Sequence, residues 1–237
     1  MLKIACHAFK TFFNSINLYL RGIMSHIICK AVLFDLDGTL VDSGECIEKL
    51  WREWAGKHHL DINYVHSIIH GRTIEEALSK ISPYFSNEKC VEEVKSLAIE
   101  KLSKMAPVPG AVTFLSSLPH DLFAVVTSGA KKVALPSMFG AGIPVPECLI
   151  TAEDVQKSKP SPEPYLLAAE RLNKHPGDCV VFEDADAGIT SALAAGMRVV
   201  VVGSSLDQKY EYQKLLRIDN FNNIKVSFDG DNIIISL

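Results

Sequence analysis

Short apolar runs that stop abruptly at polar residues constrain this chain more than any other feature. Lys30-Ala31-Val32-Leu33-Phe34 stops at Asp35, and Leu122-Phe123-Ala124-Val125-Val126 stops at Thr127-Ser128-Gly129. Cys179-Val180-Val181-Phe182 stops at Glu183-Asp184, and Arg198-Val199-Val200-Val201-Val202 stops at Gly203. Runs apolar on both faces suit strands of a parallel sheet covered by helices on each side. Leu149-Ile150 is a candidate for a shorter strand of the same kind.

Helical patterns separate these runs. Pro109-Gly110 opens a stretch reaching Leu118. Ser161-Pro162 starts another, with Tyr165, Leu166, Ala169 and Leu172 on one face. Ala185 to Ala195 is small and apolar and ends at Gly196, a residue suited to a C-cap. Strand and helix alternation of this kind predicts an α/β protein with a Rossmann-like, doubly wound parallel-sheet core. Ligands of such sheets sit beyond the carboxyl ends of the strands. There the runs place Asp35, Thr127 and the pair Glu183-Asp184.

Residues 43–106 have a different texture. They contain no strand-like run. Ile47, Leu50, Trp51, Trp54 and His58 fall at helical spacing, and Thr73-Ile74-Glu75-Glu76 has the form of a capping box. Cys90, Val91, Val94, Leu97, Ala98, Leu102 and Met105 form a further stripe. These features predict a small all-helical domain inserted after the first strand, with residues 24–42 and 107–237 forming the core domain. Trp51 and Trp54 read as the core of the insert; His58, His59 and His66 read as surface residues. Near the carboxyl end, Ile224–Phe228 and Ile233–Ile235 flank Asp229-Gly230, predicting a hairpin turning at Asp-Gly that extends or covers a sheet edge.

Residues 1–23 read as an extension outside the fold. They carry no Asp or Glu, and their apolar residues are interrupted too often for a membrane span. They suit either a basic targeting segment or an upstream extension with Met24 as the start, and the second reading is taken here. The net charge of -4 offers no basic field for nucleic acid or an anionic membrane. Cys6, Cys29, Cys46, Cys90, Cys148 and Cys179 contain no C-x-x-C pair, so a zinc site is not expected. Scattered single cysteines in a chain of 237 residues read as reduced thiols of a cytoplasmic protein.

The segment Asp35-Leu36-Asp37-Gly38-Thr39 sets two carboxylates at i and i+2 just past a buried run. Anions this close beside apolar residues are costly unless they share a proton or a cation. Gly38 permits a tight turn, and Thr39 is placed to fix that turn through its side chain. Taken alone, an Asp-x-Asp-Gly segment also suits an ordinary surface turn; the preceding strand argues against it.

Phe34 to Ser43 resembles the first motif of the haloacid dehalogenase superfamily, in its phosphatase branch. Val125-Val126-Thr127-Ser128-Gly129 resembles the second motif, Lys159-Pro160-Ser161-Pro162-Glu163 the third, and Phe182-Glu183-Asp184-Ala185 with Gly188 the fourth. Singly, the last three read equally well as a turn, a solvated loop and a helix N-terminus; their order carries the resemblance. It extends from Met24 to the end of the chain, and the helical insert stands where the family has its type 1 cap. His70-Gly71-Arg72, Val108 to Val112 and Ile150 to Val155 are similar to sugar and polyol phosphatases, including 2-deoxyglucose-6-phosphatases and glycerol-phosphatases.

The resemblance implies a Mg2+-dependent phosphatase acting on a small phosphate ester, as a monomer or weak dimer. Asp35 would be the nucleophile and Asp37 the acid and base. Thr127, Lys159, Ser128 and Gly129 would bind phosphate, joined by Leu36 and Ser43. Asp35, Asp37, Glu183 and Asp184 would hold the metal. His70, Gly71 and Arg72 would approach the substrate from the cap, although Arg72 equally suits a solvent-facing position. A β-phosphoglucomutase-like mutase and a phosphoglycolate phosphatase are the alternatives. The mutase cap carries an arginine where this chain has Ile74. Dehalogenase chemistry does not suit a chain bearing Asp37, and a catalytically silent binding protein does not suit intact motifs.

Overall fold

Strands β2 (Ala31–Phe34), β3 (Phe123–Val126), β4 (Cys148–Ile150), β5 (Cys179–Glu183), β6 (Arg198–Val202) and β7 (Leu216–Ile218) pair in parallel, in the order β4-β3-β2-β5-β6-β7. The computed structural model describes residues 26–102, 105–203 and 214–237. The assignment of residues 1–23 and the role of Met24 therefore lie outside the described residues. Every residue of β2, β3 and β5 is buried, the signature of central strands covered on both faces. Leu33 aligns with Ala124 on one side and Val181 on the other, which brings the ends of β2, β3 and β5 level.

Helices cover both faces. Helix α5 (Ala111–Ser116) packs through Phe114 and Leu115 into one layer. Phe34 stacks on Phe182 with centroids 5.3 Å apart and meets Phe114 edge-on at 5.6 Å. The residues just before Asp35 and Glu183 are thus locked in one aromatic cluster, so the backbone carrying both acids is anchored. Helices α7 (Glu163–Arg171) and α8 (Asp186–Ala194) bury Tyr165, Ala168, Ala169, Ile189 and Ala192 in the other layer. Leu166, expected on the buried face of α7, is 40% exposed. The helix buries Pro164, Tyr165, Ala168 and Ala169 instead, a face rotated by one position.

Helices α1 (Gly44–Lys57), α2 (Ile62–Ile69), α3 (Ile74–Ile81) and α4 (Glu88–Leu102) follow β2 and build a core of their own. Leu50, Trp51, Trp54 and Ala55 of α1 meet Cys90, Val94 and Ala98 of α4, which recur at i, i+4 and i+8 on one stripe. Ala130 and Val133, at the start of α6 (Lys131–Gly140), join this cluster from the sheet side. His58 is half-buried rather than a surface residue. Its ring stacks 4.6 Å from Trp54, and Nε2 lies 3.1 Å from Glu93. His66 is half-buried too, with a buried Nε2. Thr73 accepts the amide of Glu76 and caps α3. The Glu76 carboxylate, expected to complete a capping box, instead accepts the hydroxyl of Ser158 across the cleft.

The carboxyl hairpin does not extend the parallel sheet. Strands β8 (Lys225–Asp229) and β9 (Asn232–Ser236) join β1 (His26–Cys29) in a separate antiparallel sheet, β1-β9-β8. Asp229 pairs with Asn232, so the turn residues are Gly230 and Asp231, one place later than the sequence suggested. Its Ile233 and Ile235 are buried against Val32 and Phe34 in the layer that also holds Phe114 and Phe182.

Candidate active site

Three neighbouring strand ends deliver the site. Asp35 follows β2, Thr127 follows β3, and Glu183 ends β5 with Asp184 next. The fourth component, Lys159, comes from the loop before α7 and follows no strand. Its ammonium lies 2.5 Å from Asp35 Oδ1 and 2.8 Å from Glu183 Oε1, and it donates to the Val126 carbonyl at 3.0 Å. Lys159 and Glu183 are each 1% exposed, and Asp35 is 8% exposed. Charges buried to this degree persist only when paired and hydrogen-bonded.

Burial alone would lower the Lys159 ammonium, but Asp35 and Glu183 override it and hold the lysine well above its ordinary range. Burial raises Asp35 to about 8, with Lys159 pulling down and Glu183 pushing up. Asp37 is raised by burial, moderated by the neighbouring Ser43 hydroxyl. Asp184 is raised by burial and by Glu183 and Asp35. The carboxyl groups of Asp35, Asp37, Glu183 and Asp184 outnumber the ammonium that faces them, so ionising all of them would leave surplus negative charge, which is why Asp35, Asp37 and Asp184 hold their protons more tightly than usual.

One oxygen from each of Asp35, Glu183 and Asp184 falls within a mutual 4.8 Å. Buried Asp37 Oδ1 meets no hydrogen-bond partner. An all-oxygen carboxylate set with an orphaned oxygen beside it suits a hard divalent cation, and not zinc or copper. Glycines shape this seat. Gly38 has φ +88°, and a Cβ there would fall 2.1 Å from Asp184 Oδ2. At Gly188 a Cβ would fall 1.5 Å from Glu183 Oε1.

Some expected residues are engaged differently from the sequence expectation. Thr39 does not fix its own turn; its hydroxyl donates to Asp184 Oδ1 at 3.2 Å, across 145 residues of chain. Thr127 Oγ1 accepts the Gly129 amide at 2.9 Å. Ser128 Oγ donates to the Gly71 carbonyl at 3.0 Å, tying this loop to the helical layer. Glu183 Oε1 takes both Lys159 and the Tyr165 hydroxyl, the latter at 3.1 Å, while Oε2 accepts the Ala185 amide at 2.9 Å.

A cavity of about 530 Å³ opens above the cluster. Asp35, Asp37, Ser43, Thr127, Ser128 and Gly129 line it, and so do Glu183 and Asp184. His70, Gly71 and Arg72 line it from the helical layer, with Arg72 Nη1 donating to the Ile68 carbonyl at 2.6 Å. Leu36 is fully buried beneath the Asp35 turn, with its carbonyl accepting the amides of Leu40 and Val41. Lys159 reaches the site through its contact with Asp35. Two contributors escaped the sequence reading. Tyr165 looked like an ordinary apolar face residue of α7, and nothing local marks its hydroxyl as a partner of Glu183. Asp186 also lines the cavity, and its place just after Glu183-Asp184 at a helix start was the available signal.

The sheet and its strand-tip acids define an α/β enzyme that works at the carboxyl edge of a parallel sheet, with carboxylates arranged about a buried lysine. Residues 32–202 match the family model of the haloacid dehalogenase-like hydrolases, and the chain belongs to that family. It is 40% identical over 184 residues to hexitol phosphatase A of Escherichia coli (strain K12), covering 76% of this chain and 85% of that protein. It is 34% identical over 214 residues to glycerol-1-phosphate phosphohydrolase 2 of Saccharomyces cerevisiae, covering 85% and 86%. Among solved structures, the β-phosphoglucomutase of Clostridium difficile aligns with a TM-score of 0.70 at 26% identity, covering 83% of this chain and 93% of that one. The five cysteines found free among the described residues are Cys29, Cys46, Cys90, Cys148 and Cys179. Among the described residues no helix is long and apolar enough to cross a membrane.

Proposed function

We propose that this protein is a Mg2+-dependent phosphatase hydrolysing a small sugar or polyol phosphate through an aspartyl-phosphate on Asp35. The observation that carries the reading is the buried Lys159–Asp35 contact inside a surplus of carboxylate. The named phosphatases among its relatives support the ester class.

Asp35 attacks phosphorus, forming an Oδ–P bond as the P–O bond to the leaving alcohol breaks. Asp37 gives its proton to that departing alkoxide, and its burial-raised pKa suits a proton carrier. Asp37 then takes a proton from water, whose oxygen attacks the phosphoryl group and frees Asp35. Lys159 neutralises Asp35 and a phosphate oxygen, while Glu183 and Tyr165 hold it in place. Thr127 Oγ1 receives the Gly129 amide, which leaves its own proton free to be donated to the phosphate. Asp35, Asp184 and the Asp37 carbonyl would hold Mg2+, which would supply charge neutralisation and phosphate alignment. Glu183, whose oxygen belongs to the same cluster, would support that set directly or through a water. Residues 43–106 act as the cap, and His70, Gly71 and Arg72 present the ester. Ile74 brings hydrocarbon to the cavity at the position where a mutase carries arginine, which favours release to water.

The test is a phosphate-release screen over sugar, polyol, glycerol and glycolate phosphates with Mg2+, paired with Asp35→Asn. We expect turnover in the native protein, none in the variant, and an adduct at Asp35 in acid-quenched samples. Turnover in the variant or an adduct elsewhere overturns the mechanism.

A further inference from the structure

The cavity has a floor and a rim. At the floor, Asp35, Asp37, Glu183 and Asp184 gather about the buried lysine, and Ser43 stands with them. Ser43 is fully buried, its hydroxyl meets no hydrogen-bond partner, and it neighbours Asp37. The rim forms where the helical layer crosses the core. Gly71, at φ +73°, passes so close that a Cβ there would fall 2.6 Å from the Cβ of Ala187 and 3.8 Å from that of Ala185. Asp186 stands between those two alanines in the chain. It is exposed, and it lines the same cavity as His70 and Arg72.

A sugar or polyol body brings hydroxyl protons, and each needs an acceptor when it leaves water. Arg72 has only donors, one of them already given to the Ile68 carbonyl. Burial and the neighbouring His66 hold His70 below its ordinary value, so the ring is uncharged at neutral pH and offers a single acceptor nitrogen. The floor carboxylates serve the lysine, the cation seat and the phosphoryl group. Among the described residues that line the cavity, Asp186 is the carboxylate that remains. Its two oxygens can take neighbouring hydroxyls together, in bonds roughly twice as strong as those to a neutral acceptor.

We infer that Asp186 reads hydroxyl groups of the ester body from the core side of the cavity, and so sets a preference for hydroxylated phosphate esters. The inference rests on the phosphatase reading above and deepens it, since it gives recognition of the sugar or polyol body to a residue outside the helical insert. An acid at this place has another use: Asp186 is the first residue of α8, where a carboxylate favours the helix dipole. That role acts on stability, and it treats all esters alike.

The test compares glucitol 6-phosphate with hexyl phosphate, its six-carbon counterpart without hydroxyls, using the full chain with Mg2+. The native protein, Asp186→Ala and Asp186→Asn are each described by the ratio of the two kcat/KM values. Comparing ratios between proteins cancels the intrinsic reactivity of each ester and any folding loss common to both. In Asp186→Ala the ratio of glucitol ester to hexyl ester should fall about tenfold or more, the scale of a lost hydrogen bond to a charged group. Asparagine keeps one acceptor oxygen, so in Asp186→Asn the ratio should fall less. An unchanged ratio in Asp186→Ala overturns the inference and leaves the phosphatase reading intact. So does release from hexyl phosphate with none from glucitol 6-phosphate in the native protein. No phosphate release from either ester or from the wider screen overturns both.

Discussion

Lys159 Nζ sits 2.5 Å from Asp35 Oδ1 although 124 residues separate them in the chain. The same nitrogen reaches Glu183 on β5 and the last carbonyl of β3, so one ammonium ties together the ends of three strands. Site assembly and fold stability therefore share an interaction.

Replacing this lysine tests the sharing. Lys159→Met removes the cation and leaves Asp35 and Glu183 buried without it. Breaking a buried pair by removing one partner costs about 3–5 kcal/mol, which should appear as a lower urea midpoint. The lost phosphate stabilisation should lower kcat by about 10²-fold or more. A variant with native stability and turnover would contradict the role given to the contact.

Gly188 supplies a second test. An alanine in a helix normally stabilises it by about 1 kcal/mol relative to glycine. Here the added methyl would overlap Glu183 Oε1, which must move and take its hold on Lys159 with it. A misplacement of about 1 Å can cost 10²-fold in rate, and we expect Gly188→Ala to lose kcat on that scale. Steady-state kinetics beside a circular dichroism spectrum would show a folded but impaired protein.

Divalent cation should stabilise the native chain. At a concentration of about 100 times Kd the gain is about 2.7 kcal/mol, visible as a higher Tm, and Asp184→Asn should abolish most of it. Without cation the sign of the pH dependence follows from Asp35, raised from 3.8 to about 8. The native state binds this proton more tightly than the unfolded chain. Its contribution is fully present below the unfolded value and is lost as pH rises through the folded one. In EDTA, Tm should fall between pH 6 and pH 8.5, and Mg2+ should flatten the trend. A cation-free Tm that rises over that interval would contradict the assignment.

Buried thiols give an independent check on the core. Burial pushes Cys29 up to about 12 and Cys179 up to about 11. The thiolate is the reactive form, so both should resist alkylation at pH 8 in the native protein. Peptide mapping after timed labelling should show half-buried Cys46 modified well before either. In urea, all should react.

The strands, the acid pair after the first of them and the helical stripes were legible locally. Each rests on a period or a junction spanning a few residues, and apolar patterning of that range decides which faces must be buried. The runs ending at Asp35, Thr127 and Glu183 needed no partner to be recognised as buried strands. What the sequence could not state was who meets whom. The order β4-β3-β2-β5-β6-β7 makes three of those ends adjacent, and the separate β1-β9-β8 sheet joins segments from opposite ends of the chain. Tyr165 bonds Glu183 from 18 residues away and Thr39 bonds Asp184 from 145, separations at which no local propensity acts. Ile47 and Ile74 carry the same helical signal as any core residue, and only the packing of their helices over the sheet turns them toward the cavity. Local chemistry fixed the parts; the crossing of strands and helices fixed which charges neutralise one another and which apolar surface faces the ligand.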